Sequence, residues 1–212
     1  MGKVVNVDKL QGLEQGLDRR IIGLTGGIAT GKSTVSKYLA TQHHLPVLDA
    51  DVYARQAVEK GGEILDAIAH RYGPKILHAD GTLNRPTLGK IIFNNPAEKR
   101  WIEQQIHPYV RTQFSKTTET YPLIQTLIYS IPLLFEANLT HLVSEIWVVY
   151  CTHTQQKERL IARNDLSESA AQSRIDAQMP LSEKCTKANH ILDNTTTQEN
   201  LFRQIDTLLS AN

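Results

Sequence analysis

Gly26, Gly31, Lys32 and Ser33 stand in the spacing G-x-x-x-x-G-K-S, and residues of these types at that spacing can hold a polyphosphate. Glycines let the backbone come close to an anion and turn its N–H groups inward, with no Cβ in the way. A helix opening directly after such a turn adds unpaired N–H groups and the positive end of its dipole. Lys32 can reach the β- and γ-phosphates, and the Ser33 hydroxyl can ligate Mg²⁺. Gly27, Ile28, Ala29 and Thr30 complete the turn, and Thr34 follows in the first helical turn. The alternative is a chance match in an ordinary turn. Against it, the apolar run ending at Thr25 and the helical pattern after Lys32 supply the strand–loop–helix context that the motif needs.

A second apolar pair, Val47-Leu48, ends in Asp49-Ala50-Asp51. In an open parallel sheet, ligands bind beyond the carboxyl ends of the strands, so acidic residues there lie on the side where chemistry happens. One of the two is expected to cap the next helix and the other to act on substrate. Further along, Arg159 and Arg163 stand four apart in QKERLIAR and would share one helix face. Two guanidiniums so placed suit a triphosphate and a transferring phosphoryl group, or else a solvated face with ion pairs to Glu158 or Asp165. Arg55, Lys75, Arg85 and Arg111 are further cations that spacing alone does not rank. None of the eight histidines forms a metal pair by spacing.

These residues require elements to place them. Strand one is expected over Arg19–Thr25, followed by a helix from Lys32 to about Gln42 with Val35, Tyr38 and Leu39 facing inward. Leu123–Ile131, Glu145–Cys151 and His190–Asn194 read as further strands, and their continuous apolar character fits a parallel sheet covered on both faces. The stretch from Ala54 to Lys116 has no clear strand and reads as helical, with breaks at Gly61-Gly62 and Tyr72-Gly73-Pro74 and a kink at Pro108. The pattern predicts an α/β doubly wound parallel sheet of about five strands with helices on both faces. Residues 1–18 are expected to be an extension. Residues 19–53 and 120–212 would form a nucleotide-binding core, 54–119 a helical subdomain on the acceptor side, and about 153–180 a helical lid.

The 212 residues suit one domain with an insertion, and 41% hydrophobic and 21% charged residues are ordinary for a globular chain. A net charge of +1 gives no global field for nucleic acid or an acidic membrane. No stretch approaches a membrane span, and residues 1–20 lack the apolar core of a signal peptide. Two cysteines, Cys151 and Cys185, are too few for a disulfide framework and point to reduced thiols in the cytoplasm. No N-K-x-D triplet argues for a GTPase. The third strand ends Tyr129-Ser130-Ile131-Pro132, without the terminal Asp of motor ATPases. What remains is a small-molecule kinase, or a non-catalytic module that binds ATP.

The chain resembles the dephospho-CoA kinase family, P-loop enzymes that use ATP to phosphorylate the ribose 3′-hydroxyl of dephospho-CoA. The resemblance rests on GLTGGIATGKST (23–34), LDADVYAR (48–55), DGTLNRPTL (80–88), IHP (106–108), IPLLFE (131–136), QKERLIAR (156–163), RIDAQMP (174–180) and ANHILDN (188–194), in that order. It implies Asp51 as general base with Asp49 nearby, and Lys32 and Arg159 acting on the transferring group. It places Arg159 and Arg163 in or beside a lid, Asn194 near the adenine, and Arg85 and His107 on the acceptor side. It also implies ATP and Mg²⁺, with dephospho-CoA as partner. The modest apolar content offers no clear assembly surface, which favours a monomer. Two departures stand out: Ala29-Thr30 replaces the family's usual Gly-Ser, and Asn189 stands where Asp is frequent.

Overall fold

The computed structural model describes residues 19–211. The stretch 1–18, read above as an extension, lies outside them.

Contacts divide the chain into two compact units. The first runs through Leu48 and resumes at Tyr121. Its five strands are β1 (Ile21–Gly26), β2 (Val47–Asp49), β3 (Leu127–Ser130), β4 (Glu145–Tyr150) and β5 (His190–Asp193). They form one parallel sheet in the order β2-β3-β1-β4-β5. β1 is central: Ile21 aligns with Leu127 of β3, and Gly26 with Val149 of β4. All but the first residue of β1, and all of β3, are buried. Burial of consecutive residues means that both faces of these strands are covered, as the continuous apolar runs require. Helices α1 (Lys32–Gln42) and α9 (Gln198–Ser210) share one buried cluster with the sheet, Val35 and Leu39 meeting Leu24, Trp147, Leu201 and Ile205. The remaining helices here are α6 (His153–Asn164), α7 (Glu168–Asp176) and α8 (Leu181–Thr186). Thr152 opens α6 with a capping box closed by Gln155.

β3 is shorter than its apolar run. Leu123 and Ile124 are 43% and 84% exposed, in a turn closed by the Gln125 amide on the Pro122 carbonyl. Proline cannot donate to a ladder, and the turn it begins takes these residues out of the strand.

The second unit, Asp49–Thr120, is helical. It holds α2 (Ala50–Gln56), α3 (Glu63–Tyr72), α4 (Arg85–Asn94) and α5 (Pro96–Glu119). Asn84 and Asn95 cap α4 and α5 by accepting backbone N–H groups, each with proline in the first turn. α5 continues through Pro108. Val58, Leu65, Ile68, Ile76, Leu88 and Ile102 make this unit's own core. Beside it Arg71 and Tyr72 of α3 both donate to Glu98 of α5, the guanidinium at 2.7 and 2.9 Å and the phenol at 2.5 Å. Arg71 also lies 4.5 Å from the Trp101 ring centroid.

Candidate active site

β1 delivers the chain at Gly26 to a turn that ends where α1 begins. Thr30 is fully buried and bonds back to the Gly27 carbonyl through its hydroxyl at 2.9 Å, closing the turn on itself. Gly31, at φ 106°, opens α1 from the left-handed region that glycine alone enters without strain. A Cβ there would also strike the Asn194 side-chain amide. A Cβ on Gly27 would come within 2.5 Å of the Gln156 side chain. Both glycines are therefore needed by what packs on the loop as well as by what the loop could bind. Lys32 donates to the Ser130 hydroxyl at 2.5 Å, at the end of the neighbouring strand β3. Ser33 is exposed and, with Thr34, Lys37, Tyr38 and Gln198, lines a cavity of about 560 Å³.

Asn194 bonds the loop directly, its Nδ2 donating to the Thr30 carbonyl at 2.8 Å. Its own carbonyl accepts from Arg159 Nη2 at 3.0 Å. Arg159 Nη1 is buried and has no hydrogen-bond partner among the described residues. Burial pushes the adjacent Cys151 thiol above its ordinary value, with the Arg159 charge opposing. Arg163, one turn on, is exposed and bonds Asn164 at 2.9 Å. Gln178 was given no role by its sequence position, yet its side-chain oxygen accepts from the Ile28 amide at 2.8 Å. Gln156 is likewise buried against Gly27. Gln156 is a polar residue in a helix and Gln178 follows the end of α7, so no apolar periodicity could have singled out either one.

Asp49 ends β2 and caps α2, its carboxylate accepting the Asp51 amide at 2.8 Å. Asp51 is exposed in the first turn of that helix. Arg85 opens α4, exposed, with a bond of 3.3 Å to the Arg55 carbonyl. His107 lies in α5 against a cavity of about 340 Å³ shared with Arg100, Gln104 and Arg111. Burial lowers its imidazole pKa below the ordinary value, against the pull of Glu103 and with a contribution from Arg111. It is therefore neutral near pH 7.

Among the described residues no group of three or more His, Cys, Asp and Glu could hold a metal. An all-protein cage is thus lacking, and a hydroxyl such as Ser33 beside substrate phosphates is the donor set that suits Mg²⁺.

The sequence profile of the dephospho-CoA kinase family, CoaE, matches residues 20–200. The chain belongs to the dephospho-CoA kinase family. The dephospho-CoA kinase of Trichormus variabilis is 54% identical over 196 residues, covering 92% of this chain and 98% of that one. The Synechocystis enzyme is 57% identical over 187 residues, covering 88% and 93%. Among solved structures, TT1252 from Thermus thermophilus superposes with a TM-score of 0.79 at 31% identity, over 91% of this chain and 97% of that one. The dephospho-CoA kinase from Campylobacter jejuni gives 0.65 at 26%, over 90% and 95%. Membership makes the chain a kinase, a phosphotransferase acting on an alcohol group, and the P-loop fold supports ATP binding. No helix among the described residues is long and apolar enough to cross a membrane.

Proposed function

We propose that this chain transfers the γ-phosphoryl group of ATP to the ribose 3′-hydroxyl of dephospho-CoA, giving coenzyme A and ADP. The observation that carries the reading is the phosphate loop at the end of β1, in a chain that matches that family over residues 20–200. The loop from Gly26 to Gly31, with Ser33 and Thr34 at the start of α1, wraps the donor's phosphates, and Lys32 is drawn to the β- and γ-oxygens. Ser33, together with the phosphates, would hold Mg²⁺, which would supply neutralisation of their charge. The Asp51 carboxylate takes the proton of the 3′-hydroxyl as its oxygen bonds to the γ-phosphorus. The bond to the β-γ bridging oxygen breaks and ADP leaves. Arg159 and Arg163 offset charge developing on the transferring group. Asn194 serves the nucleotide through the Thr30 carbonyl, which it fixes. Asp49 orients Asp51 from the helix cap, and Arg85 and neutral His107 contact the acceptor. Use of ATP fits a cytoplasmic enzyme, and a monomer is sufficient for the reaction.

The deciding experiment is product analysis with ATP, Mg²⁺ and a panel of dephospho-CoA, AMP, CMP and gluconate. The expected result is ADP and coenzyme A from dephospho-CoA alone. Transfer to another member of the panel would overturn the acceptor, and free phosphate alone would overturn the kinase reading. Asp51→Asn should lower kcat by about 100-fold with KM for both substrates little changed. Near-normal turnover would remove Asp51 from the role of base.

A further inference from the structure

Between α7 and β5 the chain passes through Gln178, Met179 and Pro180 into the short helix α8, and this stretch holds the phosphate loop at two points. Lys184 of α8 is completely buried. Its ammonium donates to the Gly26 carbonyl at 3.3 Å and to the Pro132 carbonyl at 3.1 Å, and it pairs with Glu136 Oε1 at 2.8 Å. Three N–H donors thus meet three oxygens, one of them charged, which is the condition for keeping an ammonium out of water. The same Glu136 oxygen accepts the Met179 amide at 3.0 Å, and Gln178 accepts the Ile28 amide at 2.8 Å. None of these side chains belongs to the motif that takes the nucleotide.

We propose that Lys184 is a positioning residue for the phosphate loop and that residues 178–184 form a strap which sets the loop's geometry. Gly26 is both the last residue of β1 and the first of the loop motif. Its carbonyl and the Gly27 N–H belong to one planar trans peptide and point in opposite directions. Drawing the carbonyl onto Lys184 fixes that peptide and keeps a carbonyl oxygen turned from the anion that the loop takes. Pro132 lies two residues beyond the end of β3, so a single ammonium also ties together the ends of two paired strands. Lys32 reaches across that same pair of ends to Ser130. Lys184 acts through Gly26 and touches no phosphate itself. The inference rests on the reading of residues 26–34 as a nucleotide site and is independent of which acceptor is used.

The test compares Lys184→Met, Lys184→Arg and Gln178→Leu in the full chain, by ADP titration calorimetry with Mg²⁺, steady-state kinetics and thermal melting. Lys184→Met should raise the Kd for ADP and the KM for ATP about tenfold, while KM for dephospho-CoA stays within about twofold. Lys184→Arg, which keeps a cation able to reach the same oxygens, should recover most of the loss. Gln178→Leu, at a half-exposed position, should raise the Kd for ADP about threefold at an unchanged melting temperature, a split that a purely structural role would not produce. If Lys184→Met does not melt cooperatively, Gln178→Leu decides. ADP affinity within about 1.5-fold of the parent in Gln178→Leu would overturn the strap. A parent protein that binds ADP but phosphorylates no dephospho-CoA would overturn the function proposed above, and the strap would then be judged on ADP affinity alone.

Discussion

Ala29 adopts φ 62° inside the phosphate loop. An L-residue in the left-handed region costs about 1–2 kcal/mol relative to glycine, which enters it freely. This is the position where the family's usual loop has glycine. Ala29→Gly should therefore stabilise the folded chain by about 0.5–1 kcal/mol after the entropy gained by the unfolded glycine is subtracted. The expected rise in melting temperature is about 1–4 °C, and a fall would show that Ala29 makes a contact worth more than its strain. The other departure, Asn189, has a plain account. Its side-chain oxygen accepts the Ile146 amide at 2.8 Å, and its own amide donates to the Ile146 carbonyl at 2.9 Å. The position needs an acceptor oxygen, which Asn and Asp both supply. At this scale the motif residues were legible because their spacing carries the chemistry. That Asp49 rather than Asp51 is the cap was not legible, because either carboxylate could have served and only the bond to the Asp51 amide distinguishes them.

Elements were legible where apolar periodicity and capping agree. β4 was expected over Glu145–Cys151 and runs Glu145–Tyr150, and α1 was expected to end near Gln42 and does. They were not legible where a turn interrupts an apolar run, as at Leu123 and Ile124. Nor was the joint between α3 and α5, since Arg71 and Glu98 are 27 residues apart and no local pattern pairs them. That joint makes a prediction about pH. The bonds from Arg71 and then Tyr72 hold the Glu98 carboxyl down at about 2. A carboxylate whose folded pKa lies below its unfolded value of about 4.3 contributes stability above that value and loses it as pH falls toward the folded one. The melting temperature of the helical unit should accordingly fall between about pH 4.5 and pH 2. Glu98→Gln should lower it at neutral pH and flatten the acid slope, and an unchanged slope would show that other carboxylates carry it. At the alkaline end burial, with Glu98, pushes the Tyr72 phenol up to about 12, so its bond persists through the range where a free tyrosine ionises.

The described residues include one buried cluster on the sheet and another among α3, α4 and α5. The phosphate-loop motif at residues 26–33 belongs to the same unit as the first. A ligand stabilises what it binds by mass action, by about 2.7 kcal/mol at a hundredfold excess over Kd. Calorimetry should thus resolve two components, and ADP with Mg²⁺ should move the one belonging to the sheet upward by about 5–10 °C. Lys32→Ala should abolish most of that shift. A single transition that moves as one would show that the two cores melt together. The sequence reading set a helical stretch at 54–119, and contacts delimit the helical unit at Asp49–Thr120. Which residues fill each core was visible only as helical periodicity, because faces that meet across dozens of residues leave no mark on each other's spacing.

The order of the strands also sets a schedule for synthesis. β1, the central strand, pairs with β3 at a separation of roughly 100 residues and with β4 still later. At ribosomal speeds of about 5–20 residues per second, β1 emerges roughly 5–20 s before its first partner in the sheet order exists. The helical unit is contiguous and needs nothing from further along the chain to close its own core. Vectorial folding would therefore finish the middle of the protein first, while IIGLTG waits as an unpaired apolar segment beside the very loop that will take the nucleotide. That interval is when the nascent chain has most need of a chaperone.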